Sequence, residues 1–195
     1  MAGLRVEGLQ RPGLAPAGLA IPPGRILCLH GPSGSGKTLL LRAIADLDPN
    51  DGEVYLDGRP RSAFSGPAWR RRVIYVPAES HWWAERVRPH APHWPEAELA
   101  ALGFGPEVLD REVRSLSTGE RQRLAILRAL ARAPRALLLD EPTANLDADN
   151  GRRVEALLDD YRRRRQAPLL WVSHDPAQRA RMADDQREIR AGVLQ

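Results

Sequence analysis

The sequence predicts an α/β fold, a mainly parallel sheet flanked by helices, and three observations carry that prediction. Short apolar runs alternate with stretches of helical periodicity, the pattern of strands joined by crossover helices. Polar clusters stand just past the ends of those apolar runs, where open α/β sheets bind their ligands. A glycine-rich loop, Gly31-Pro32-Ser33-Gly34-Ser35-Gly36-Lys37-Thr38, lies between one such run and a helical stretch. It matches the phosphate-loop pattern G-x-x-x-x-G-K-[ST] in the strand-loop-helix setting that pattern requires.

The elements follow in order. Arg25 to His30 alternate and then turn apolar, which predicts a strand; Thr38 to Leu47 reads as a helix with Leu40, Leu41 and Ile44 on one face. Asp51 to Gly58 is a short strand bounded by turn pairs, and Val73 to Val76 is a β-branched and aromatic run suited to another. From Glu79 to Ser115 the texture changes to scattered Trp, His and Pro, with one helical stretch from Pro95 to Leu102. Thr118 to Ala133 then reads as an amphipathic helix, with Leu124, Leu127, Leu130 and Ala131 to one side and Arg121, Arg128 and Arg132 largely elsewhere. Pro134 stops it. Ala136 to Leu139 is an all-apolar strand ending in Asp140-Glu141, Asp149 to Arg165 is a helix, and Leu169 to Val172 is a strand ending in Ser173-His174-Asp175. The expected organisation is one domain over 1–195, with a core of 1–78 and 116–195 and a small lobe of 79–115.

Composition excludes several classes. The 195 residues are 43% hydrophobic, enough for a buried core. The longest apolar runs are a few residues, far short of the roughly 20 that cross a bilayer as a helix. The start, Met-Ala-Gly-Leu-Arg-Val-Glu, lacks the features of a secretory signal, so a cytoplasmic location is expected. The single cysteine, Cys28, sits in an apolar run and reads as a buried, inert thiol. A formal charge of +4 raises the question of anionic partners. The densest arginine runs, Arg70 to Arg72 and Arg162 to Arg165, read as solvated helix ends, so no nucleic acid is expected. There are 28 arginines and one lysine, Lys37. In a chain that so favours guanidinium, the retained ammonium marks the phosphate loop as the place that needs it.

The chemistry gathers at the strand ends. Glycines let the loop curl so that its N–H groups converge on phosphates at the start of a helix. Lys37 is placed to reach the β and γ phosphates, and the Thr38 hydroxyl to ligate Mg²⁺. Asp140 would hold the Mg²⁺ shell, and Glu141 would polarise the water that attacks the γ phosphate. The other histidines, His30, His81, His90 and His93, lack metal-site spacing.

With these motifs in place, the chain resembles the ATP-binding-cassette ATPases over nearly its whole length. The family signature is matched by Leu116-Ser117-Thr118-Gly119-Glu120 ahead of Arg121-Gln122-Arg123-Leu124. The resemblance implies ATP and Mg²⁺ as cofactors, antiparallel β elements at the N-terminus and a trimmed helical lobe. It also implies a dimer, expected to be a homodimer, in which Ser117, Gly119 and Glu120 of one copy complete the site of the other. Ala144-Asn145-Leu146-Asp147 resembles the loop at the dimer contact, and His174 resembles the switch histidine that senses the γ phosphate and positions Glu141. A transmembrane permease is the implied partner, which places the chain peripherally on the inner face of the plasma membrane as a transporter motor. Short bacterial transporter ATPases, an iron-efflux type among them, are the nearest in outline. A soluble ATPase acting on ribosomes or DNA, and an ATP sensor with little turnover, are the competing readings.

Three departures stand out. Ala78 occupies the position after Val73 to Pro77 where the family usually has a glutamine, and Glu79 beside it is the candidate substitute. No aromatic lies between Leu4 and Gly24 to stack on adenine. Thr118 stands where glycine is commoner.

Overall fold

The computed structural model describes residues 3–195; residues 1 and 2 of the expected core lie outside the described residues. Two sheets form. One is antiparallel, in the order β2-β1-β4-β5, from β1 (Leu4–Arg11), β2 (Leu14–Ile21), β4 (Asp51–Leu56) and β5 (Arg59–Pro60). The other runs β10-β9-β3-β8-β7-β6, from β3 (Ile26–His30), β6 (Val73–Val76), β7 (Ala136–Asp140), β8 (Leu169–Val172), β9 (Asp185–Arg190) and β10 (Val193–Leu194). Its neighbours are parallel from β9 through β6, and β10 pairs antiparallel with β9.

The central strands are buried on both faces, which is why they read as unbroken apolar runs. Their alternate residues divide between two cores. Leu27, Leu29, Leu138, Leu170 and Val172 pack with the antiparallel sheet and with α1 (Lys37–Ile44). Ile26, Cys28, Leu137, Leu139, Leu169 and Trp171 pack on the other side with α4 (Thr118–Leu130) and α5 (Ala148–Arg165). Cys28 is buried there as expected, and burial pushes its thiol up to about 12.

Helix ends differ from the sequence reading. α1 stops at Ile44, three residues before Leu47, because Asp46 turns left-handed at φ 59°. α4 stops at Leu130 and not Ala133, which sits at φ 48° ahead of Pro134, where a following proline disfavours helix. α4 is also not simply amphipathic: Gln122 and Arg123 are buried along with its apolar residues. Arg123 Nη1 donates to the Leu102 carbonyl at 2.5 Å and Gln122 Nε2 to that of Pro77 at 3.4 Å, so both polar groups are satisfied away from water.

The segment 79–115 holds one six-residue helix, α3 (Glu96–Ala101), and short 3₁₀ turns. Its aromatic texture has a packing origin: His90, fully buried, lies edge-on to Trp82 and Trp83, and the Arg128 guanidinium rests over both indole rings. Two further elements complete the chain, α2 (Gly66–Arg70) and α6 (Pro176–Met182). The arginine run at the end of α5 is partly paired, Arg162 and Arg163 with Asp159, and Arg164 with Asp160. Among the described residues no helix is long and apolar enough to cross a membrane.

Candidate functional site

β3 carries the chain into the phosphate loop with its last side chain, His30, and the loop then folds under the C-terminal strands. Gly31 adopts φ 141°, and a Cβ there would stand 2.1 Å from the Ile189 carbonyl oxygen of β9. Only glycine permits so close an approach. The Gly192 N–H donates to the Ser35 carbonyl at 2.8 Å, and Gly36, at φ 108°, opens α1. Lys37 is buried, and its ammonium donates to the Gly31 and Pro32 carbonyls at 2.9 and 2.8 Å. Burial holds that ammonium below its ordinary pKa, and the charges of Glu141 and Asp140 pull it back up.

β7 delivers the acids. Asp140 is buried at the strand end, and its Oδ2 accepts from Thr38 Oγ1 at 2.8 Å and from the Tyr75 hydroxyl at 3.0 Å. Burial, and secondarily the Asp140 charge, push the Tyr75 phenol well above its usual range. Glu141 has φ 49°, a left-handed backbone that costs a non-glycine residue about 1–2 kcal/mol and swings its side chain out of strand alternation. β8 ends beside it. His174 Nε2 lies 2.9 Å from Glu141 Oε1, the length of an imidazole N–H donating to a carboxylate.

Ser33, Gly34, Gly36, Lys37, Thr38, Leu39, Glu141 and His174 line one cleft of about 340 Å³. The structure therefore brings together the phosphate loop, Glu141 and His174, with Asp140 bonded to Thr38 beneath them. Ser117, Gly119, Glu120 and Asp147 do not line this cleft. They form a second cluster. Ser117 caps α4, its hydroxyl accepting from the Glu120 N–H at 3.1 Å while the Glu120 carboxylate accepts from the Ser117 N–H at 2.7 Å, a reciprocal capping box. Gly119 packs against the next loop, with Leu146 Cδ2 3.1 Å and the Asn145 carbonyl 3.3 Å from where a Cβ would stand. Asp147 caps α5, accepting from the Asn150 N–H at 2.9 Å, and that bond holds its carboxyl below the ordinary range.

Ala78 and Glu79 line a different hollow with Ser80, Thr118, Arg121 and Gln122, so Glu79 does not line the phosphate-loop cleft. The β1–β2 turn lies against Leu39, whose Cδ1 is 3.1 Å from a Cβ built on Gly13. Tyr75 and Leu39 were not singled out from sequence. Tyr75 reaches Asp140 because β6 pairs with β7 in the register Tyr75↔Leu138, and nothing in a single strand's sequence announces its neighbour.

The residues fit a polyphosphate with a hard cation. The Ser35 hydroxyl is buried in the loop without a partner in the chain, the Lys37 ammonium is bonded to two carbonyls of the same loop, and Thr38 Oγ1 with Asp140 Oδ2 offers the oxygen pair that Mg²⁺ favours. Among the described residues no cluster of three or more His, Cys, Asp or Glu is arranged for a metal.

A parallel sheet with this loop between β3 and α1 defines a phosphate-loop nucleotide-binding protein. Residues 14–144 match the family described as ABC transporter. An aliphatic sulfonates import ATP-binding protein of Paracoccus denitrificans is 37% identical over 184 residues, 90% of this chain and 71% of that protein. A lipoprotein-releasing system ATP-binding protein of Anaeromyxobacter dehalogenans is 35% identical over 209 residues, 94% of this chain and 85% of the relative. A molybdenum import ATP-binding protein of Bradyrhizobium diazoefficiens is 38% identical over 185 residues, and this chain, 86% of it aligned, spans 20% of that longer protein. The chain belongs to the ATP-binding-cassette transporter family, as an ATP-binding subunit of the ATP-hydrolysing kind.

Proposed function

We propose that this chain is the motor of a membrane transporter, working as two copies that face each other around two Mg²⁺–ATP and bound peripherally to a transmembrane permease at the inner membrane face. The observation that carries it is the division of the site. Glu141 and His174 meet at 2.9 Å in the phosphate-loop cleft, while the capped loop at Ser117 stands elsewhere on the chain. The remaining N–H groups at the start of the 13-residue helix α4 suit an anion, and in the facing arrangement a second copy brings them to the first copy's phosphates.

In this reading the core, 1–78 and 116–195, binds nucleotide and the 79–115 lobe rides on it. The loop N–H groups and Lys37 bind the phosphates. Thr38 and Asp140 would hold Mg²⁺, which would supply neutralisation of the charge that grows between the β and γ phosphates. Glu141 accepts a hydrogen bond from the attacking water and orients it, and His174 fixes the Glu141 carboxylate from behind. Ser117 and Gly119 of the facing copy close over the γ phosphate, with Asp147 and Glu120 holding their loops in shape. ATP favours the closed pair, and hydrolysis releases it. The relatives serve unlike cargoes by name, sulfonates, molybdenum and lipoprotein, and share the motor. The soluble and sensing readings are not favoured, since all three belong to import or release systems.

Glu141→Gln tests the reading. It keeps the shape, removes the carboxylate charge, and is expected to lower turnover at least about a hundredfold while trapping an ATP-bound dimer on gel filtration. A variant that stays monomeric in ATP, or hydrolyses at the wild-type rate, overturns the facing-sites mechanism.

A further inference from the structure

The loops after β7 and β8 are laced together twice. The first tie is Glu141 to His174. The second lies deeper, where the side chain of Gln178 in α6 places Nε2 2.8 Å from Thr143 Oγ1 and 2.8 Å from Glu155 Oε1 of α5. A carboxamide nitrogen has two N–H donors, so both bonds form at once. Gln178 and Glu155 are both buried. Arg181, one turn along α6, closes on the same carboxylate, Nη2 to Oε1 at 2.9 Å. An ionised carboxylate taken out of water needs such partners, and here every one comes from α6.

The placement of the second tie gives it a consequence for the first. Thr143 stands two residues after Glu141, across the buried Pro142, and Gln178 four residues after His174. Glu141 holds a left-handed backbone, which persists only where surrounding contacts fix it. Neither Gln178 nor Glu155 lines the phosphate-loop cleft.

We infer that Gln178 is a positioning residue: its carboxamide, braced by Glu155 and Arg181, holds Thr143 and so aims the Glu141 carboxylate at the cleft and against His174. The inference rests on the roles proposed above for Glu141 and His174. The chemistry also explains why an amide serves there. A carboxylate at 178 has no donor for Thr143 Oγ1 or Glu155 and would set a like charge beside Glu155 in a buried site.

The test uses the full chain purified with the membrane protein that accompanies it, measuring turnover against ATP, affinity for a fluorescent ATP analogue, and melting temperature. Gln178→Met, similar in shape and without a donor, is expected to lower kcat about tenfold, on the scale of one lost hydrogen bond, with KM and analogue affinity within twofold of wild type. Thr143→Val is expected to give the same loss, and the two together no more than either alone. In a His174→Ala background, Gln178→Met is expected to add nothing. Unchanged kcat in folded Gln178→Met, loss of analogue affinity in parallel with kcat, or simple multiplication of the two effects overturns the inference. Should Gln178→Met fail to fold, Thr143→Val at the half-buried loop carries the same outcomes. If Glu141→Gln and His174→Ala both leave turnover intact, the site reading itself falls and this inference with it. If they abolish turnover while Gln178→Met and Thr143→Val do not, only the positioning role falls.

Discussion

Gly31→Ala separates steric from conformational cost in the phosphate loop. The added methyl would stand 2.1 Å from the Ile189 carbonyl oxygen, and reaching even 3.0 Å requires a relative shift of about 0.9 Å between backbone and backbone. Ile189 lies one residue beyond the last rung of the β3–β9 ladder, His30↔Glu188. Moving it loosens that rung and the neighbouring Gly192 N–H to Ser35 bond, about 1 kcal/mol each. Forcing alanine to φ 141° adds about 1–2 kcal/mol. The sum is about 3–4 kcal/mol, which for a chain of this size lowers the melting temperature by roughly 6–16 °C. Gly34 is the control: it too has positive φ, 75°, but nothing lies within 4 Å of its added Cβ, so Gly34→Ala is expected to cost only about 1 kcal/mol, roughly 2–4 °C. Thermal melts of the two variants decide it. Gly31→Ala melting within 2 °C of wild type, or no lower than Gly34→Ala, would refute the packing of the loop beneath β9.

Asp48, bonded through both carboxylate oxygens by Arg42 and also paired with Arg11, is held at about 2. A depressed carboxyl stabilises the fold above its unfolded pKa near 4 and loses that contribution as pH falls toward 2. Asp48→Asn is therefore expected to destabilise by about 1–2 kcal/mol at pH 7, with the gap to wild type closing between pH 4 and 2 in denaturant melts; a pH-independent gap would exclude the ion pair as its cause. Tyr75→Phe removes one of two donors to Asp140 Oδ2, and the Mg²⁺ concentration needed for half-maximal binding of a fluorescent nucleotide is expected to rise about threefold to tenfold; an unmoved titration would count against Asp140 as the cation's carboxylate. Cys28, fully buried and pushed up to about 12, should resist thiol reagents at pH 8 until the protein unfolds. Complete labelling of native protein within minutes would show that strand β3 opens.

The strands that position the cleft were legible because burial on both faces leaves a mark on composition. Val73–Val76, Ala136–Asp140 and Leu169–Val172 are almost wholly apolar; the polar endings of the second and third, Glu141 and His174, line the phosphate-loop cleft, while Glu79 beyond the first lines another hollow. β2, with Pro16 and Gly18, and β9, reading Asp-Gln-Arg-Glu-Ile-Arg, carry no such mark. Each is a strand because of its neighbour: β2 through its pairing with β1, β9 through its pairing with β3. The N-terminal antiparallel strands were expected through family resemblance alone. The same limit hid the Gln178–Glu155 bond, which joins residues 23 apart on different helices. It hid the burial of Arg123 as well, since a charge on a helix reads as solvent-facing until a carbonyl such as that of Leu102 is found opposite it.

The clamp that β9 and Gly192 place on the phosphate loop also sets an order in time. Residues of the loop leave the ribosome about 150 positions ahead of Ile189, the distance from Thr38 to that residue. At about 5–20 residues per second, the loop waits roughly 8–30 seconds before the backbone that roofs Gly31 exists. For most of that interval, until β8 (Leu169–Val172) emerges, β3 lacks both of its eventual neighbours, β8 and β9, and its Ile-Leu-Cys-Leu run is an open edge of the kind that invites mispairing. A nascent chain of this protein therefore closes its phosphate loop late, and until then the apolar strand that leads into that loop is without its partners.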